Sequence, residues 1–167
     1  GEALESFTGA TPKKLRGDEV FASLVASIEL PNIDTKVEPS TGASRFPPPP
    51  MSTRDFVNEA FGFDPSTKDE LLTRTMKQAI FMMNNDQLHK QIDASPDSGT
   101  MLSKLLASES DNVQAVEVLY TRVLARRPTD KERSIVAKHI ESIQDRGEAF
   151  EDVLWSLINS AEFTTRK

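Results

Sequence analysis

The chain has 167 residues, 37% of them apolar and 28% charged, enough for one ordinary hydrophobic core or two small ones. Twenty Lys and Arg against 26 Asp and Glu leave a net charge of −6, too acidic a balance to gather phosphates, so nucleic acid is not an expected partner. With no cysteine there is no disulfide, thiolate metal site, thioether-bound haem or Cys nucleophile.

No run reaches the roughly 18 apolar residues of a membrane span, so membrane insertion is not expected. The chain opens Gly1, Glu2, Ala3 without a Met and without a basic-then-apolar signal segment, which reads as a processed chain or a piece of a larger one. Charge is spread thinly: five basic residues against seven acidic in 1–50, six against nine in 51–110, and nine against ten in 111–167.

Residues 1–11 are mixed in character and contain Gly9, so they read as a disordered lead-in to a single helical domain over 12–167. Pro12 starts a short turn carrying Leu15. From Asp18, the spacing of Val20, Phe21, Leu24, Val25 and Ile28 predicts a helix packed on one face, with Asp18 and Glu19 at its dipole-positive start and Pro31 as its stop. Residues 31–50 hold six of the ten prolines, which forbids a helix and predicts an extended connection, mobile around Ser40 to Ser44 and pinned at Phe46.

Ser52 and Asp55 ahead of Phe56, Val57, Ala60 and Phe61 predict a capped two-turn helix ending at Gly62. Thr67 and Glu70 repeat the capping pattern before a stripe of Leu71, Leu72, Met76, Ala79, Ile80 and Met83, widened by Phe81 and Met82. Asn84 and Asn85 break it. A short helix follows on Leu88 and Ile92, then turn chemistry from Ser95 to Gly99, then two helical turns on Met101, Leu102, Leu105 and Leu106.

The C-terminal third is the most regular. Asp111 or Asn112 caps a helix on Val113, Val116, Leu119, Tyr120 and Val123 that Pro128 closes, and Thr129 with Glu132 caps the next, on Ile135, Val136, His139, Ile140 and Ile143. Gly147 punctuates before a last helix on Phe150, Val153, Leu154, Leu157 and Ile158, with Trp155 beside the stripe. Three such helices with short links cannot bury their faces alone. The predicted fold is therefore all-α, an irregular multi-helix bundle with a C-terminal antiparallel three-helix unit and no persuasive strand.

Chemistry is sparse. A metal centre needs several converging ligands, yet there are two histidines fifty positions apart and no pair at helical spacing. His89 reads as a solvated helix residue and His139 as a core-border histidine bonded to a neighbour. No Gly-flanked serine elbow and no phosphate-cradling glycine loop occurs, and adjacent acids such as Glu151 and Asp152 sit at helix starts, where the dipole explains them. Arg122, Arg126 and Arg127 form one basic cluster, Arg122 and Arg126 four apart on a helical spacing. It serves the helix C-terminus, pairing with acids such as Glu117 or Glu132, or it docks a carboxylate or phosphate of a partner. Trp155 reads as a core plug or a groove filler. No catalytic, cofactor or metal residue is assigned; the candidate partner contacts are Arg122, Arg126, Arg127, Trp155 and Phe163.

The run from Glu117 through Val118, Leu119, Tyr120 and the Arg126-Arg127-Pro128-Thr129-Asp130 turn to Arg133, with Phe150 through Trp155 to Phe163, resembles the C-terminal module of a planctomycete-type family, domain of unknown function 1553. Thr75 to Asn85 and Phe56 to Gly62 carry the same resemblance. It implies a module of a larger multidomain protein that is exported or periplasmic, following another uncharacterised domain and often a cytochrome c-like one. It implies no activity and no cofactor. Many members place two close cysteines after the positions of Phe61 and Gly62, where this chain has Phe63, Asp64 and Pro65, so no role of those cysteines transfers. The expectation is a non-catalytic packing or protein-interaction module serving neighbouring domains of the parent chain. The alternative is an accessory part of an enzyme acting on polysaccharide, its site completed by a neighbouring domain. A small apolar ligand held between helices is a third reading, and oligomeric state is not legible.

Overall fold

The computed structural model describes residues 13–35, 51–62, 78, 81–83 and 85–166. The lead-in, the Thr67 and Glu70 cap, the stripe from Leu71 to Met76, Ser40 to Ser44 and Phe46 lie outside the described residues.

The described chain is a helical bundle. Helix α1 is Gly17–Ile28, α2 is Thr53–Phe61, α3 is helical at residues 78 and 81–83, α4 is Asp86–Ile92 and α5 is Met101–Ser108. The three-helix unit is α6 (Asn112–Leu124), α7 (Asp130–Ser142) and α8 (Arg146–Ile158), each packed on the other two. A 13-residue helix is about 20 Å long. The links at 125–129 and 143–145 are too short to carry the chain back along that length, so successive helices run antiparallel.

Local chemistry sets most boundaries. The Ser52 hydroxyl accepts from the Asp55 amide at 3.2 Å while the Asp55 carboxylate accepts from the Ser52 amide at 3.1 Å, closing a reciprocal box at the start of α2. The same carboxylate accepts the Ser52 hydroxyl at 2.7 Å, which holds the Asp55 pKa below its ordinary value. Thr129 and Glu132 make the equivalent box for α7, and Asn85, Thr100, Asp111 and Asp145 cap α4, α5, α6 and α8. At Gly17 a Cβ would stand 2.7 Å from Asn58 Cα, so the close approach of α1 to α2 requires glycine there.

One cluster of buried side chains runs through the described elements. Leu24 and Ile28 of α1, Val57 of α2, Leu88 of α4, Leu102 of α5, Leu119 of α6, and Phe150 and Leu154 of α8 are fully buried within it. Burying each such side chain contributes roughly 1.5–3 kcal/mol against exposure.

Several expectations need correction. Val25, Val113 and Ile135 continue the apolar spacing yet face outward, and Met83 is 67% exposed, so the buried stripe is narrower than the sequence pattern. Helix α1 stops at Glu29, which takes the left-handed conformation at φ 59°, two residues before Pro31; Leu30 then turns into the core. Helix α6 stops at Ala125, φ 54°, three residues before Pro128. Gly147 lies inside α8, not ahead of it; a Cβ there would stand 3.3 Å from the Ala94 Cβ.

Among the described residues there are also four two-residue strands. Lys13–Lys14 (β1) pairs antiparallel with Thr165–Arg166 (β4), and Asp34–Thr35 (β2) pairs with Met51–Ser52 (β3). The first ladder ties the two ends of the described chain together; the second ties the two ends of the proline-rich connection, with the Thr53 amide donating to the Ile33 carbonyl at 3.0 Å.

Candidate functional site

The arginines expected as partner contacts are tied into the bundle to different degrees. Arg126 lies just beyond the end of α6 and so does not share a helix face with Arg122. It reaches two carboxylates: Nε and Nη2 donate to Glu162 at 2.7 Å each, and Nη2 and Nη1 donate to Glu132 at 2.7 and 2.9 Å. The guanidinium lies 5.6 Å from the Tyr120 ring centroid. Its hydrogen bonds hold the Glu132 carboxyl down at about 2, and the two carboxylates raise Arg126 above its ordinary value. Burial, with Glu132 adding to it, raises the Tyr120 phenol. Arg126 thereby clasps the start of α7 to the segment that leads into β4.

Arg122 caps another helix. Its Nε donates to the Ser27 carbonyl at 2.8 Å and its Nη2 to Glu29 at 3.0 Å, satisfying the C-terminal end of α1, and Lys104 reaches the same carboxylate at 3.4 Å. Glu117 pairs with Arg133 at 3.7 Å rather than with Arg122 or Arg126. The Arg127 side chain is exposed and makes no ion pair among the described residues; its carbonyl accepts from Arg126 at 3.1 Å. Phe163 is buried in the core beside the Arg126 clasp.

Trp155 lies elsewhere, partly buried on α8. Its indole stacks on the His89 imidazole, centroids 5.3 Å apart and planes 23° apart. His89 also bonds the Met83 carbonyl through Nε2 at 2.9 Å, and since a carbonyl only accepts, Nε2 carries the proton. His89 is therefore a buttress for Trp155, although its position on a polar helix face gave no hint of that.

On α6, α7 and α8 an open groove of about 420 Å³ is lined by Trp155 together with Tyr120, Ile135, His139, Asp152 and Ser156. Val136, Val153 and Leu157 form its apolar floor. His139 Nε2 meets Asp152 Oδ2 at 3.0 Å, which fixes the carboxylate at the groove; the expected bond of His139 to a neighbour is present, on a half-exposed ring. Ile135 is 57% exposed. The groove thus combines an aromatic side chain, an open aliphatic one and an oriented carboxylate, the makings of a recognition surface. Of the sequence-derived candidates only Trp155 lines it; Ile135 was assigned to the core and Asp152 to dipole compensation.

A second hollow of about 490 Å³ lies at the start of α8, lined by residues including Ser103, Asp145, Arg146 and Glu151. Its polar groups serve the fold: Arg146 donates to Asn112 and to the carbonyls of Leu106 and Glu109, and Glu151 accepts from the Ala94 amide at 2.7 Å. Among the described residues no three His, Asp or Glu side chains converge as metal ligands, and no helix is long and apolar enough to cross a membrane. Comparison of the chain with protein-family models, with curated proteins and with solved structures finds no match.

Proposed function

We propose that this chain is a non-catalytic helical module that binds or packs against neighbouring parts of a larger exported protein, of the kind its C-terminal run resembles. The observation that carries this reading is the groove on the three-helix unit. It leaves Ile135 open and Trp155 only partly covered, while Arg122, Arg126 and Arg146 are engaged within the bundle. Solvent-facing apolar and aromatic side chains grouped around one hollow are a common footprint of a binding surface. The direct test is sedimentation of this chain with the remainder of its parent protein. Association in the micromolar range is expected, and none at a few hundred micromolar would refute the reading.

A second reading has one observation in its favour. His139 and Asp152, 3.0 Å apart beside Trp155, are groups that a neighbouring domain could complete into a polysaccharide-processing site. It requires that His139→Ala in the full parent abolish turnover of a polysaccharide while leaving the bundle folded.

A further inference from the structure

We infer that the groove on α6, α7 and α8 takes a partner segment that presents an aliphatic side chain next to a Lys or Arg. The inference rests on the reading of the chain as an interaction module and names what that module grips.

None of the described residues lining the groove is Lys or Arg, and its ionisable groups are His139, Asp152 and the phenol of Tyr120. The Asp152 side chain is 54% exposed; His139 engages Oδ2, and Oδ1 has no partner among the described residues. Asp152 is thus the carboxylate that the described lining residues present in the groove, with one oxygen oriented by His139 and the other open, in a chain whose net charge is −6. That disfavours acidic segments and phosphates and favours a cation.

Trp155 lines the same groove, and the stacked His89 holds its indole in place. Beside it, Ile135 offers an aliphatic surface that water covers in the free chain. A partner side chain such as Leu or Met laid on Ile135 removes that surface from water, while the adjacent basic residue reaches Asp152 Oδ1.

Trp155 is the single tryptophan, so its fluorescence reports on this groove alone. The probe is the peptide acetyl-Leu-Arg-Leu-Arg amide, with acetyl-Leu-Glu-Leu-Glu amide and cellohexaose as controls. A saturable emission change is expected with the basic peptide at or below about 1 mM, and none with either control. Asp152→Asn should weaken the response about two- to fivefold, the worth of one half-exposed ion pair. Ile135→Ser, at an exposed position, should weaken it without altering the fold. An unsaturated response to the basic peptide at about 10 mM overturns the inference. So do equal responses to the acidic and basic peptides, a response to cellohexaose alone, or an unchanged response in Asp152→Asn. Failure of the module reading looks different: the unmodified chain then shows no association with its parent, whereas association that survives both substitutions sinks only the groove assignment.

Discussion

Removing the Arg126 guanidinium tests whether this residue is a clasp within the bundle. Arg126, Glu132 and Glu162 have side-chain exposures of 33%, 30% and 41%, so their pairing is neither fully solvated nor buried. Exposed pairs contribute roughly 0.2–1 kcal/mol and well-formed charge-assisted bonds roughly 1.5–3 kcal/mol, which places each two-pronged contact near 1 kcal/mol after screening. With the lost packing on Tyr120, Arg126→Ala should destabilise by about 2–3 kcal/mol in denaturant unfolding. Arg126→Lys keeps the charge but cannot span two carboxylates, so it should recover less than half. A double-mutant cycle with Glu132→Gln should give a coupling of about 1 kcal/mol that shrinks in high salt.

The pH dependence has a definite sign. The Glu132 carboxyl is held at about 2, against an ordinary 4.5, so its contribution is complete above pH 4.5 and is lost as pH falls toward 2. The stability difference between the natural chain and Glu132→Gln should close across that window. A coupling below about 0.3 kcal/mol, or a difference indifferent to pH between 5 and 2, would refute the clasp.

Two further substitutions probe other parts of the account. Ala125→Gly should stabilise by about 0.5–1 kcal/mol, because Ala125 ends α6 at φ 54° with a Cβ that disfavours that conformation; a destabilised variant would mean that the Cβ packs usefully. Phe150→Ala should cost about 3–5 kcal/mol, the side chain being fully buried where α8 meets the rest of the bundle, and a loss under about 1 kcal/mol would refute that placement.

What the sequence made legible was local. Ser52 with Asp55, Thr129 with Glu132, and Asp111 are caps, and a cap is written within four residues of the backbone amide it serves. The helical class and the three-helix unit followed from periodicity. Ends set by backbone strain were not legible, since Glu29 and Ala125 adopt the left-handed conformation with neither Gly nor Asn to announce it. The exposed members of the stripes, Val113 and Ile135, were missed because periodicity marks a face but not its width. Two-residue strands are too short to show alternation.

The candidate site was read only in fragments, because its contacts join distant positions. Arg122 meets Glu29 across 93 residues and Arg126 meets Glu162 across 36, so a cluster that looks basic along the chain is largely neutralised in space. His89 and Trp155 find each other only after α4 and α8 pack. Phe81 with Asn85 and Trp155 with Asn159 share a spacing that hints at duplication, but the two asparagines do opposite work. Asn85 accepts at a helix start, from the Leu88 amide, and Asn159 donates at a helix end, to the Trp155 carbonyl.

We propose that the face around Trp155 is where this chain meets the rest of a larger parent protein. Incorporation of 5-fluorotryptophan labels that single position, and the fluorine spectrum can be followed while the remainder of the parent protein is added. A saturable shift or broadening of the one resonance, lost in Ile135→Ser, is the result this account predicts; association that leaves the resonance unmoved would contradict it.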